Sequence, residues 1–197
     1  NRRDGVAAIS LGENDELVGV TLTAGNEDVL IATRSGMLIR FSEQEIRPVG
    51  RTARGVRGIR LKPDDWVVGV NACSPEGAEI LAVTGDGYGK RTLVDEFRRQ
   101  TRGGTGTAAV RRGRKGGFLV GLMVVQEGDE IMIVTSDGRL IRTGINEIPV
   151  LGRTARGVKL MRLEKRERVL AVTRVAAGEA EKRSRASGNT GGRGSGT

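Results

Sequence analysis

Two copies of one segment place arginines beside glycines in a pattern suited to binding phosphate. Residues Gly50–Val56 return unchanged as Gly152–Val158, and residues 101–107 form a looser version between them. Each arginine that meets a phosphate releases condensed counterions, and glycine lets the backbone approach closely and offer its amides. The pattern therefore predicts binding to a polyanion.

The three segments recur at a fixed step of 51 residues, as their closing glycines show: Gly55, Gly106 and Gly157. A constant step of this length indicates stacked supersecondary units. It also places Arg51, Arg102 and Arg153 on one edge of the array, as a curved basic stripe. The alternative for the glycines is purely structural, because each would suit a positive-φ turn between a link and a strand.

Positive charge is densest in the middle of the chain, where nine basic and two acidic residues lie between positions 90 and 115. Any single arginine could simply belong to a solvated face. Collectively, a curved stripe matches the backbone of duplex DNA, with little sequence preference and a steep salt dependence. The predicted contact set is Arg51, Arg54, Arg57, Lys90, Arg91, Arg98, Arg99, Arg102, Arg111, Arg112, Arg114, Lys115, Arg153, Arg156 and Lys159.

The composition supports a nucleic-acid partner and excludes several kinds of site. The 197 residues carry a net charge of +9, which favours nucleic acid first and an acidic membrane surface second. With no histidine and one cysteine, Cys73, the chain lacks a His general base, a His-ligated metal and a disulfide. The lone cysteine suits a reducing cytoplasm. No apolar run is long enough to span a bilayer, and five aromatic residues are few for stacking on unpaired bases.

Each repeat is predicted to begin with a β-hairpin. In the first repeat, Val29–Thr33 and Met37–Phe41 flank the turn, and the later turns contain Asp86-Gly87 and Asp137-Gly138. Asp-Gly between two apolar runs favours a hairpin. A polar link follows each hairpin and predicts a brief helical turn, at residues 42–47, 94–100 and 144–148.

Two further strands complete each predicted unit. Residues Val56–Leu61 alternate with period two, and a second apolar run follows at Val67–Val70. Four antiparallel strands in about 50 residues make one blade of an all-β propeller, with Trp66 packed between blades. The predicted units are a partial blade at 1–28 and repeats 29–79, 80–130 and 131–175. Residues 176–197 carry no apolar side chain larger than that of alanine and are predicted to be disordered.

The repeats resemble a known family, the carboxy-terminal domain of the A subunit of bacterial DNA gyrase, shared in degenerate form with topoisomerase IV. The likeness rests on Gly50–Leu61, Gly87–Thr92 and Gly152–Val158, and it covers residues 1 to about 175. It implies a β-pinwheel, a propeller-like array with hairpins exchanged between neighbouring blades, with DNA bent around a basic outer rim and a role in supercoiling. Since the chain has no initiator Met, we expect it to be part of a longer protein.

One motif departs from the family pattern. The family's glycine-rich box is matched at five of seven positions by residues 100–106, namely Gln100, Arg102, Gly103, Gly104 and Gly106, with threonine at both variable basic sites. We interpret it as a degenerate relative of the box. The resemblance implies no catalytic residue, metal or cofactor in this stretch; ATP and Mg²⁺ would serve only the parent holoenzyme. The partners it implies are duplex DNA, the rest of the A subunit, and the ATPase B subunit, in the bacterial cytoplasm and without a membrane.

Several alternatives remain open from the residues alone. The parent could be topoisomerase IV instead of gyrase. A protein-interaction propeller of the kelch type has a similar period but should show paired glycines and spaced aromatics in each blade, and these are missing. An RNA-binding repeat array is disfavoured by the few aromatics, and an independent enzyme is disfavoured by the absence of histidine.

Overall fold

A computed structural model describes residues 5–111 and 117–177. The all-β class is confirmed, because these residues form antiparallel sheets and short 3-10 helices at Glu43–Glu45, Val94–Glu96 and Ile145–Glu147. The strands, in chain order, are β1 (Asp28–Thr33), β2 (Met37–Ser42), β3 (Val67–Cys73), β4 (Glu79–Thr84), β5 (Tyr88–Leu93), β6 (Thr107–Ala108), β7 (Leu119–Val125), β8 (Glu130–Thr135), β9 (Leu140–Gly144), β10 (Val158–Lys159) and β11 (Val169–Val175). The predicted tail beyond residue 177 lies outside the described residues.

The three predicted hairpins are present with nearly the predicted bounds. Strands β1 and β2, β4 and β5, and β8 and β9 each pair antiparallel across a tight turn. The 3-10 helix that follows each hairpin lies within the predicted polar link. The 51-residue step is therefore a repeat of structure as well as of sequence.

The sheets are not built from single repeats, and this corrects the predicted blade. The first sheet has the order β3-β1-β2-β6, so its last strand comes from the second repeat. In the same way β10 of the third repeat completes the sheet of β7, β4 and β5. The third strand predicted at Val56–Leu61 is wrong, because these residues form no strand. Their equivalents in the later repeats are the two-residue strands β6 and β10, each of which pairs with the hairpin of the preceding repeat. Residues 5–27 form no hairpin with which Val56–Leu61 could pair.

The inner and outer edges of the sheets follow from this order. Strand β7 packs against both β3 and β11, and the Asn71 side-chain amide donates to the Leu122 carbonyl at 2.8 Å. These three strands therefore lie at the inner edge of the array. Strands β6 and β10 occupy the opposite edge of their sheets, so the segments that contain them run along the outside.

Two apolar cores lie between the neighbouring sheets. Because successive side chains of a strand point to opposite faces, the buried Ile80 and Ala82 join the core shared with the first sheet, whereas Leu81 and Val83 join the core shared with the third. Trp66 was predicted to pack between blades, which is wrong. It is 52% exposed, and the Arg34 guanidinium lies 4.4 Å from its ring centroid.

An ion pair fixes the turn before β11. The carboxylate of Glu167 accepts hydrogen bonds from the Arg139 guanidinium, at 2.7 Å from Nε, and from the Glu164 amide at 2.7 Å. The hydrogen bonds from Arg139 are the main reason that the pKa of Glu167 falls to about 2.

This depressed pKa makes an acid-stability prediction. A carboxyl whose pKa is lower in the folded state stabilises the fold above its unfolded pKa, about 4.3, and loses that contribution as the pH falls through about 2. We expect the Tm of the wild type to fall more steeply between these values than the Tm of Glu167→Gln. Thermal unfolding followed by circular dichroism at several pH values tests this, with the exposed Glu164→Gln as control. If Tm falls equally steeply with pH in the wild type, Glu167→Gln and Glu164→Gln, the prediction is contradicted.

Candidate nucleic-acid interface

The arginine-glycine segments lie at the outer edge because of the exchanged strands. β6 pairs with β2 through Met37↔Ala108 and Leu38↔Thr107. β10 repeats the arrangement on β5 through Val158↔Gly89 and Lys159↔Tyr88. The residues that precede these strands, 98–106 and 151–157, therefore run along the outside of the sheet of the preceding repeat.

Glycine is required where each segment meets its hairpin. Gly106 has φ +72°, and a Cβ at this position would lie 2.5 Å from the Leu38 carbonyl oxygen. Gly157 has φ +96° and meets the Gly89 carbonyl in the same way. The structural alternative for these two glycines is thus supported by geometry. Gly55 shares the conformation, with φ +76°, but a Cβ there would have no atom within 4 Å.

Arg102 and Arg153 tie neighbouring repeats together. The Arg102 amide donates to Glu45 Oε2 at 2.8 Å, and its guanidinium donates to the carbonyl of Arg57. One repeat later, the Arg153 guanidinium donates to the Ala108 carbonyl at 2.9 Å. Both side chains are partly buried at the blade junction, so the predicted stripe is not a row of free guanidinium groups.

Two members of the predicted contact set form hydrogen bonds within the protein and do not point into solvent. Lys90 is fully buried, and its ammonium donates to the carbonyls of Gly152 at 2.8 Å and Arg153 at 2.6 Å. Burial lowers the pKa of Lys90 to about 8. Arg91 donates to Glu79 and to the Ile148 carbonyl. Neither group is placed to meet a phosphate, because residues 148–153 of the next repeat lie against them.

The other predicted cations lie at the surface, and several are held in place. Arg156 donates to Asp86 Oδ2 at 2.8 Å and lies 3.7 Å from the centroid of the Tyr88 ring. Arg99 pairs with the buried Asp28 at 2.7 Å. The remaining exposed members are Arg51, Arg54, Arg57, Arg98, Arg111 and Lys159. Three further members lie outside the described residues: Arg112, Arg114 and Lys115.

The box-like motif is part of the junction between the first two repeats. The backbone N–H of Gln100 donates to the Arg40 carbonyl at 2.7 Å, and the backbone N–H of Gly103 donates to the Gly58 carbonyl at 2.7 Å. The Gly104 carbonyl accepts from the Arg60 amide at 2.8 Å. Its backbone groups are thereby engaged with the protein, which supports a structural role for these glycines.

Sequence reasoning missed a second repeating pattern, an acid and an arginine twelve residues apart in each hairpin: Asp28–Arg40, Glu79–Arg91 and Glu130–Arg142. The Arg40 guanidinium also donates to the carbonyl of Phe97, and Arg91 donates to that of Ile148. Arg40 and Arg91 thus each hold the 3-10 helix of the following repeat. The recurrence of an acid and an arginine at the 51-residue step was a usable signal.

The position of Lys90 gives a direct prediction. Lys90→Met keeps an apolar stem in the site but leaves the carbonyls of Gly152 and Arg153 without this donor, which costs about 1–3 kcal/mol of the free energy of unfolding. We expect unchanged DNA affinity from the folded variant, because the ammonium is buried. Urea unfolding and a DNA titration at one salt concentration measure the two effects. Weaker DNA binding with unchanged stability would contradict the assignment.

Within residues 5–111 and 117–177, no group of three or more acidic or cysteine side chains is arranged to hold a metal ion. In the same part of the chain, no helix has the length and apolar character needed to cross a membrane.

Comparison with known proteins agrees with this geometry. A family model described as the DNA gyrase C-terminal domain, beta-propeller, matches residues 1–24, 27–74, 78–126 and 129–176. The DNA gyrase A subunit of Salmonella typhimurium is 43% identical over 89% of this chain and 20% of its own length. The corresponding protein of Staphylococcus epidermidis is 44% identical over 88% of this chain and 20% of its own length. The chain thus spans about a fifth of these relatives.

Two solved structures are similar in fold and in sequence. The C-terminal domain of DNA topoisomerase IV has a TM-score of 0.83 and 27% identity, over 94% of this chain and 58% of that one. A DNA gyrase A C-terminal domain has a TM-score of 0.78 and 27% identity, over 87% of this chain and 58% of that one. With the family model matched along nearly all of the described residues, the chain belongs to the DNA gyrase C-terminal domain family of β-propellers.

Proposed function

We propose that the chain binds duplex DNA along the outer edge of its sheets and bends it, with little sequence preference. The observation that supports this most is the position of the exposed cations. Arg98, Arg156 and Lys159 lie in or beside the segments that run along the outer edge, one repeat apart. Cations along one edge neutralise phosphates and read no base edges.

Bending follows from the curvature of the array. Smoothly bending a site of 20–30 base pairs costs on the order of 1–6 kcal/mol, and contacts that form only on the bent duplex must offset this. Repeats provide such contacts because they place equivalent cations around one curved edge. The proposed role is to hold a bent segment of DNA for the parent enzyme, a type IIA topoisomerase. Because the bent segment is held in one orientation, strand passage by that enzyme becomes directional.

The partners of the parent protein belong to the same proposal. The relatives carry the name of the DNA gyrase A subunit, so we propose gyrase, in preference to topoisomerase IV, as the enzyme that this domain serves. In that enzyme the remainder of the A subunit would supply DNA cleavage. An ATPase B subunit would supply ATP hydrolysis, in the bacterial cytoplasm.

A salt titration and a ligation assay test the function. We expect the affinity for duplexes of unrelated sequence to be similar and to fall with salt, with a log–log slope of about −0.9 for each phosphate neutralised. Circles made by ligating linear DNA in the presence of the chain should show a protein-dependent change in linking number once the protein is removed. Binding that is independent of salt, or circles identical to those made without protein, would overturn the proposal.

A further inference from the structure

The first hairpin turn holds an arginine between two aromatic rings. The Arg34 guanidinium lies 3.4 Å from the centroid of the Phe118 ring and 4.4 Å from that of Trp66. Trp66 directly precedes β3 and Phe118 directly precedes β7, so the stack joins the first two repeats. Aromatic rings hold a guanidinium by its two faces and leave its N–H groups, which lie in its plane, for other partners.

The N–H groups of Arg34 differ from those of other arginines at the repeat junctions. Arg40, Arg91 and Arg156 each form an ion pair with an acid. Within residues 5–111 and 117–177, the Arg34 guanidinium forms no ion pair and donates no hydrogen bond. The arginine is therefore held in one orientation with its donors available.

Arg34 lies where two clefts meet at the end of the sheets that carries the hairpin turns. The smaller cleft, of about 370 Å³, is also lined by Lys62. The larger one, of about 630 Å³, is also lined by Arg168 and is called the turn-end cleft below. Lys62 and Arg168 are both exposed. The stacked arginine thus shares each cleft with a second cation.

The two carboxylates of the turn-end cleft are already paired with arginines of the protein. Asp86 accepts from the Arg156 guanidinium at 2.8 Å, and Glu167 accepts from Arg139 Nε at 2.7 Å. Their negative charges are therefore offset within the protein. What remains in the cleft is the positive charge of Arg34 and Arg168, which favours an anion.

The backbone around Arg34 forms without an arginine elsewhere in the chain. The backbone N–H of Arg34 donates to the Trp66 carbonyl at 2.9 Å. The equivalent residues, Gly85 and Ser136, donate in the same way to the residues that precede β7 and β11, at 2.8 Å in both cases. Since glycine and serine serve at the equivalent positions, the fold does not require the arginine side chain.

We propose that Arg34 and Arg168 bind a phosphate group in the turn-end cleft. A guanidinium recognises phosphate through paired, charge-assisted hydrogen bonds, and stacking between rings reduces the side-chain entropy that binding costs. A DNA strand and a small phosphorylated molecule present the same anionic oxygens, so either is a source of the phosphate. The site is separate from the outer edge and does not depend on DNA binding there.

Arg34→Ser tests the site, because serine is the residue that the third repeat has at this position. Inorganic pyrophosphate is the probe, added at constant ionic strength. Trp66 is the only tryptophan of the chain, and its emission should change saturably as the wild type binds the probe. The variant alters the surroundings of Trp66, so calorimetric titration compares the affinities. We expect Arg34→Ser to bind pyrophosphate about tenfold more weakly or less.

Two further variants separate this site from general charge. Arg47→Ser removes an exposed arginine at the opposite end of the sheets, after the first 3-10 helix, and should bind pyrophosphate like the wild type. Arg34→Lys keeps the charge without the planar fork and should bind with intermediate affinity. Circular dichroism verifies that the variants are folded. No saturable binding by the wild type up to about 10 mM, or equal affinities of wild type and Arg34→Ser, would overturn the proposal.

Duplex DNA in place of pyrophosphate identifies the source of the phosphate. If DNA supplies it, a saturating duplex changes the Trp66 emission, and Arg34→Ser lowers the magnitude of the log–log salt slope by about 0.9. If a small molecule supplies it, Arg34→Ser binds duplex like the wild type while its pyrophosphate binding is weakened. The double variant Arg98→Gln and Lys159→Gln should keep its pyrophosphate affinity in either case, so a failure of outer-edge DNA binding is told apart from a failure of this site.

Discussion

Replacing Arg98 and Lys159 together by glutamine is expected to weaken duplex DNA binding by about 10–10²-fold at 0.1 M salt. Each side chain is exposed and lies in or beside a segment on the outer edge of the array. Losing two phosphate contacts lowers the magnitude of the log–log salt slope by about 1.8. The affinities of variant and wild type should therefore converge as the salt concentration approaches 1 M, and this convergence separates lost charge from lost structure.

Single variants provide the charge-matched control. Arg98→Gln removes one positive charge from the outer edge, and Arg174→Gln removes one from β11 at the inner edge. We expect the outer-edge variant to reduce the magnitude of the log–log salt slope by about one, and Arg174→Gln to leave it nearly unchanged. Fluorescence anisotropy with a labelled duplex at four or five salt concentrations measures both. Equal slopes would place the DNA elsewhere than on the outer edge.

Arg102 and Arg153 are unsuitable for this test, although they belong to the predicted basic stripe. Both donate to backbone carbonyls of the preceding repeat, so their removal perturbs the junction between repeats. A loss of DNA binding in such variants would not separate a missing phosphate contact from a displaced strand.

The fold could be predicted where it depends on local sequence. Apolar runs around Asp86-Gly87 and Asp137-Gly138 define hairpins that the structure confirms, and the 51-residue step defines their repetition. The exchange of the outer strand was not visible in the local pattern. β6 and β10 have only two residues each, and their partners lie far away in the chain, so no periodicity within them fixes the pairing.

The candidate site shows a similar limit. Lys90 lies in a basic stretch, and charge alone assigned it to the surface, whereas the fold covers it with the carbonyls of the next repeat. Its equivalents at the 51-residue step are Ile39 and Ile141, so alignment of the repeats marked the position as apolar. Arg102 gives no such signal, because its equivalents are arginines and the contacts that hold it come from a neighbouring repeat.

The exchanged strand also predicts the effect of Gly106→Ala. An L-residue at φ +72° costs about 1–2 kcal/mol, and the new Cβ would lie 2.5 Å from the Leu38 oxygen and 3.0 Å from the Ile39 nitrogen. Because backbone atoms of β2 cannot shift as readily as the end of a side chain, β6 must move away from β2 and lose its pairing. We expect the free energy of unfolding to fall by about 3 kcal/mol or more.

Gly55→Ala is the matched comparison for this variant. It has the same backbone strain, with φ +76°, but no atom within 4 Å of the new methyl. It should lose only about 1–2 kcal/mol of the free energy of unfolding, measured with urea. Equal losses for the two variants would mean that close approach to β2 adds nothing to the strain. A larger loss for Gly106→Ala, with faster amide exchange in β2, shows that the glycine holds the exchanged strand against its hairpin. The arginines before that strand then depend on Gly106 for their place on the outer edge, and weaker DNA binding by this variant reflects a displaced strand with every positive charge retained.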